Sequence, residues 1–214
     1  MIWNAVEIGP FVVQYRYIVL IISAISAYIA LKAVIKEKEA EKYMTDVFFN
    51  TAAFTLLIWK FSYILFHPVE AINAPVRILY FSGGTLGWII GVVTGLLYLI
   101  YKGRKADFPL PQWILALSAI IMSFLAVYNG IIWGLNGFVD VIFLIKSLSS
   151  LAFLIALFMH INMVNYISIW YFVVQAAIVF AEERSTVFLS FSVGQLLFIA
   201  AAVGLLLFEW KYRS

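Results

Sequence analysis

Few residues in this chain could do chemistry, and they lie far apart. It has two histidines, His67 and His160, and no cysteine. A thiol nucleophile and a thiolate metal site are therefore excluded, and two histidines are too few for a histidine metal cluster. The phosphate loop G-x-x-x-x-G-K-[ST], the zinc motif H-E-x-x-H and the nucleophile elbow G-x-S-x-G do not occur. No metal and no cofactor is expected. Lys60 and Lys146 stand inside long apolar runs, and Asp140 stands near the end of one. Charge in such a setting is costly and calls for a partner or a wet cavity. Asp140 and Lys146 are six apart and point to different helix faces, so Lys60 is the cation that could meet Asp140. Gly83, Gly87, Gly91 and Gly95 recur every four residues and form a ridge without side chains. Such a ridge lets a second helix approach closely. A wall along which a lipid chain slides is the functional alternative.

The elements that position these residues follow from composition. Of 214 residues, 65% are hydrophobic and 12% charged. A soluble domain is nearer half apolar and a quarter charged, and no soluble fold of this size could hide the excess. The chain reads as an all-α, polytopic membrane protein with about seven transmembrane helices. Stretches of roughly 20 apolar residues fall at about 11–35, 46–66, 77–101, 112–135, 138–159, 163–181 and 186–208. The charged run Lys36–Lys42, His67-Pro68 with Pro75, Lys102–Asp107 with Pro109 and Pro111, Asn136-Gly137, and Glu182–Arg184 separate them. The expected organisation is an interfacial segment over 1–10, a single seven-helix domain over 11–208 and a cytoplasmic tail over 209–214. A cleaved leader is disfavoured, because the first apolar run is long and the basic run follows it.

Lysine and arginine set the orientation. With the N-terminus outside, Lys32, Lys36, Lys38, Lys42, Lys102, Arg104, Lys105, Lys211 and Arg213 fall inside, and Arg16, Arg77 and Arg184 fall outside. The positive-inside rule selects this choice, and an odd number of spans places the C-terminus in the cytoplasm. His67 and His160 then lie on opposite membrane sides and cannot share a site. The net charge of +3 is no nucleic-acid signal, because the basic residues flank apolar runs.

Four segments together resemble prolipoprotein diacylglyceryl transferase. Lys60-Phe-Ser-Tyr-Ile-Leu-Phe66 resembles the family's Arg-x-Gly-Tyr-x-Leu-Phe. Phe81-Ser-Gly-Gly-Thr-Leu-Gly87 resembles Phe-His-Gly-Gly-x-x-Gly at the start of span three. Asn129-Gly-Ile-Ile-Trp-Gly134 is similar to Asn-Gly-Glu-x-Trp-Gly, and Ser192-Val-Gly-Gln-Leu-Leu197 to Ser-Met-Gly-Gln-Leu opening the last span. Tyr17 matches a tyrosine at the start of span one. The resemblance covers nearly the whole chain, least clearly residues 138–180. It implies a divergent, shortened member with seven spans in the bacterial cytoplasmic (plasma) membrane. That family moves a diacylglyceryl group from phosphatidylglycerol to the thiol of a lipoprotein precursor.

The departures from the family pattern are chemical. Ser82 stands at the family's histidine and Ser123 at a key arginine. Lys60 replaces another arginine, Ala126 an asparagine and Ile131 a glutamate. The reaction needs a base for the thiol and cations for the departing phosphate. The expectation is therefore a non-catalytic relative that keeps a groove for lipid or lipoprotein precursor. Tyr17, Lys60, Tyr63, Gly83, Gly84, Asn129, Gly130, Trp133 and Gln195 are its lipid-binding candidates, and Gly87, Gly91 and Gly95 serve helix packing. A phosphatidylglycerol-like membrane phospholipid is the expected partner, with a lipoprotein precursor or another membrane protein beside it. An active transferase with altered residues and an unrelated small-molecule transporter or channel are the alternatives.

Overall fold

The computed structural model describes residues 5–8, 11–74, 83–106, 108–182 and 193–213. Strands β1 (Ala5–Ile8) and β2 (Phe11–Gln14) form an antiparallel hairpin whose backbone register pairs Val6 with Val13 and Ile8 with Phe11. This shortens the first expected span. Phe11, Val12 and Val13 are aromatic or β-branched and suit a strand, and helix α1 (Tyr15–Val34) starts only after them. There follow α2 (Lys38–Phe66), the short α3 (Pro68–Asn73), α4 (Gly84–Lys105), α5 (Leu110–Leu135), α6 (Val141–Met159), α7 (Val164–Glu182) and α8 (Val193–Arg213).

Two expected boundaries move for physical reasons. Most of the charged run Lys36–Lys42 opens α2 instead of interrupting the chain. Glu39 and Glu41 sit in its first turn, where the positive end of the helix dipole favours them. At 29 residues α2 is about 43 Å long, against about 30 Å of hydrocarbon, so its charged turns extend past the apolar part. The expected tail also changes, since α8 stays helical to Arg213.

Among the described residues, five stretches are long and apolar enough to cross a membrane: Lys38–Phe66, Leu86–Lys105, Leu110–Leu135, Val141–Met159 and Ile161–Ala181. Ile18–Val34 and Gly194–Leu207 are shorter apolar helices. The distribution of polarity points the same way. On α2, Phe49 is 73% and Leu65 72% exposed, whereas Ser62 is 1% exposed. Ser23, Ser150, Ser168 and Gln175 are likewise buried. Large apolar side chains outside and hydroxyls inside is the pattern of a protein dissolved in hydrocarbon.

The chain divides into two compact units, Glu37–Pro109 and the remainder (Met1–Lys36 with Leu110–Ser214). In the first, α2 and α4 run antiparallel. In the second, α5 is the central helix, packed on α1, α6 and α7, while α8 packs on α7. Ala116, Ala119 and Ala126 on α5 are buried, and these small side chains let its neighbours come close. The α5–α6 connection forms where Asn136-Gly137 signals a turn. Gly137 (φ +69°) donates its backbone N–H to the Gly134 carbonyl at 3.1 Å, and Phe138 donates to the Trp133 carbonyl at 3.1 Å. With the Trp133 and Phe138 rings edge-on at 4.7 Å, this is a Schellman closure with its apolar contact.

Candidate functional site

The family-like positions distribute over both units. In the unit 37–109, the glycine ridge of α4 lies on α2. A Cβ at Gly83 or Gly87 would collide with the Ser62 hydroxyl, and one at Gly95 with the Thr55 hydroxyl. At Gly91 it would lie 2.6 Å from the Thr55 carbonyl oxygen and 3.4 Å from the Trp59 nitrogen, which are backbone atoms. The Gly83 N–H donates to the Trp59 carbonyl (3.1 Å), which also accepts from the Ser62 hydroxyl (2.7 Å). The Trp59 indole donates back to the Gly84 carbonyl (3.1 Å). Gly84 has φ +61°, a left-handed conformation that glycine adopts without strain. The ridge is thus filled by α2.

Tyr63 is buried, and its hydroxyl donates to Glu70 at 3.1 Å. The other Glu70 oxygen lies 3.9 Å from His67 Nδ1, and the Tyr63 and His67 rings are 5.0 Å apart. Tyr63, His67 and Glu70 thus form an ionisable group at this end of α2, with Lys60, half-buried, three residues before it in the chain. His67 and Glu70 enter it because Pro68 turns the chain into α3 at once.

In the other unit, Asn129 is buried and donates to the Leu125 carbonyl at 2.7 Å, one turn back on α5. Ser123 is buried too, and its carbonyl accepts from Ser26 of α1 at 3.3 Å. Beside Gly130, the Ser147 hydroxyl of α6 donates to the Ala126 carbonyl at 2.7 Å. The Trp133 indole nitrogen is buried without a hydrogen-bond partner. Gln195 is buried on α8. The Asp140 carboxylate accepts from Asn136 at 3.0 Å, while Lys60 lies in the other unit. Ser82 lies outside the described residues, as does the side chain of Tyr17. Among the described residues no group of three or more His, Asp or Glu side chains could hold a metal ion.

Sequence reasoning overlooks a second polar feature. Gln175 of α7 donates to Ser149 (3.1 Å) and Ser150 (3.0 Å) of α6, and the Ser150 and Tyr171 hydroxyls are 3.2 Å apart. Ser118 of α5 meets Ser168 of α7 at 2.6 Å. The available signal is the spacing of Ser168, Tyr171 and Gln175, which puts three polar groups on one face of an apolar helix. In hydrocarbon such neutral bonds hold helices together at about 0.6–1.7 kcal/mol each. Gln175→Ala removes two of them and leaves a void, so a loss of about 1–3 kcal/mol in detergent stability is expected. An unchanged thermal-unfolding midpoint would remove this network from the account of stability.

No protein-family model, no curated protein and no solved structure matches this chain.

Proposed function

We propose that the chain is a seven-span protein of the bacterial plasma membrane, with its N-terminus outside and its C-terminus in the cytoplasm. In this reading it is a non-catalytic relative of prolipoprotein diacylglyceryl transferase that holds a phosphatidylglycerol-like lipid or a lipoprotein precursor. One observation carries the non-catalytic part. Polar groups at two of the family-like positions are engaged inside the protein, Asn129 with Leu125 and Tyr63 with Glu70, and the Gly83–Gly95 ridge is filled by α2. Ser123 and Ala126 bring no charge to α5, where the transfer reaction calls for donors and cations. The test is lipidation of a precursor lipoprotein in cells whose own transferase has been depleted.

A second reading, a transferase with altered residues, draws on the Tyr63, His67 and Glu70 group with Lys60 before it. There a carboxylate holds a phenol and faces an imidazole. The same lipidation assay separates the two, because only the second gives product.

The orientation has its own test. A reporter fused after Ser214 is expected to be active only in its cytoplasmic form, and one placed in the 36–42 run should agree with it. A C-terminal reporter active only outside the membrane would reverse the topology.

A further inference from the structure

We infer that the α5–α6 turn, residues 136–140, is a lipid-inserted wedge seated in the interfacial layer of the membrane, with Phe138 and Val139 in contact with lipid. The inference rests on the membrane-embedded part of the reading above and not on the transferase resemblance.

Length places the turn. α6 has 19 residues, about 28 Å of helix, so it only just crosses about 30 Å of hydrocarbon. Both of its ends therefore lie at the hydrocarbon edge. The side chains presented there are apolar, with Phe138 at 63%, Val139 at 76% and Val141 at 57% exposure. Several polar groups around the tip are satisfied within the turn. The Schellman closure takes up the N–H groups of Gly137 and Phe138, Asn136 donates its N–H to the Ile132 carbonyl, and the Asn136 and Asp140 side chains bond each other. Asp140 at the start of α6 makes no side-chain cap bond and its carboxylate is exposed, which suits the hydrated interfacial layer rather than the hydrocarbon core.

Strain is the independent observation. Phe138 has φ +64°, and it is the non-glycine residue in the left-handed region among those described. An aromatic residue there is disfavoured, where glycine or asparagine would cost little. Strained conformations persist only where the surrounding structure holds them, here the helix closure and the Trp133 ring, and they concentrate at positions that contact a ligand. The Phe138 ring touches Trp133 on one side and is otherwise open. A phenyl group held rigidly outward at the hydrocarbon edge fits the glycerol and upper acyl region of a phospholipid.

The chain has no cysteine, so Val139→Cys gives a single labelling site. The full chain is labelled with an environment-sensitive dye and reconstituted in phosphatidylcholine–phosphatidylglycerol vesicles. Quenching by spin-labelled lipid is compared with quenching by aqueous iodide. Leu151→Cys, at an exposed mid-helix position of α6, is the lipid control, and Glu39→Cys is the water control. Val139 is expected to follow the lipid control with a shallow-placed quencher and to be several-fold less sensitive to iodide than Glu39. Iodide quenching equal to that at Glu39 would overturn the inference, and so would shielding from both quenchers, which signifies a protein cover. If Leu151 itself escapes lipid quenching, the membrane reading fails instead. Phe138→Gly relieves the strain, so it should preserve or raise thermal stability in detergent while moving the Val139 label toward water. A loss of stability with no change in quenching would make Phe138 a purely structural residue.

Discussion

Gly91→Leu is expected to prevent α2 and α4 from packing, leaving little monodisperse protein after detergent extraction. At Gly95 the closest atom is the Thr55 hydroxyl, which can rotate away, whereas at Gly83 and Gly87 the Ser62 hydroxyl can rotate but its Cβ, 2.9 and 3.2 Å from the added carbon, cannot. Gly91 faces the Thr55 carbonyl oxygen at 2.6 Å from the position a Cβ would take, and that atom moves only with the helix. Even a methyl group must push α2 aside, and an isobutyl group must push it further. Overpacking of this kind costs about 1–3 kcal/mol where side chains can adjust and more where they cannot. Separation would also break the bonds from Gly83 to Trp59 and from Trp59 to Gly84. A protein with a total stability of about 5–15 kcal/mol has little margin for that sum. Gly91→Ala should fall between wild type and Gly91→Leu. Gly103→Ala and Gly204→Ala should be neutral, since nothing lies within 4 Å of a Cβ at either place. Gly95→Ala should be relieved by Thr55→Ala, which removes the colliding hydroxyl. Size-exclusion profiles and thermal midpoints across this series check the account, and a wild-type profile for Gly91→Leu would remove the ridge from the interface.

Much of the helical architecture was legible because hydrocarbon imposes one strong rule, that apolar residues must run on for about 20 positions. The glycine spacing pointed to close approach, and it is α2 that fills the ridge. Asn136-Gly137 marked its turn correctly. The hairpin was not legible, because Phe11-Val-Val is as apolar as the helix that follows and hydropathy cannot tell strand from helix over four residues. The helical start of α2 at Lys38 is masked in the sequence by charges that suggest a break, although glutamate stabilises a helix N-terminus. At the site, matching residue types did not disclose how those residues are used. Asn129 bonds its own helix, and Tyr63 bonds Glu70, a residue no motif selected. The Gln175 network lies where the family resemblance is weakest, and only its helical spacing could have revealed it.

The second large effect concerns catalysis. Departure of glycerol phosphate from phosphatidylglycerol concentrates negative charge on oxygen, and preorganised donors and cations lower that barrier. Loss of a single such donor costs roughly a hundredfold or more in rate. Under the proposed relationship, Ser82, Ser123, Ala126 and Ile131 would stand at four positions where prolipoprotein diacylglyceryl transferases carry base, charge or donor. Lys60 retains one charge without the two-pronged donor geometry of arginine. Asn129 and Tyr63 already hold intramolecular partners. Losses of this kind are expected to leave transfer below detection even if the lipid binds.

The most direct measurement is lipidation of a precursor lipoprotein in cells depleted of their own transferase and expressing this chain, with membrane insertion verified by its C-terminal reporter. The precursor is expected to stay unlipidated, at the level of an empty vector. Lipidated product clearly above that level, lost again in Lys60→Gln or Tyr63→Phe, would contradict the non-catalytic reading and establish a working transferase.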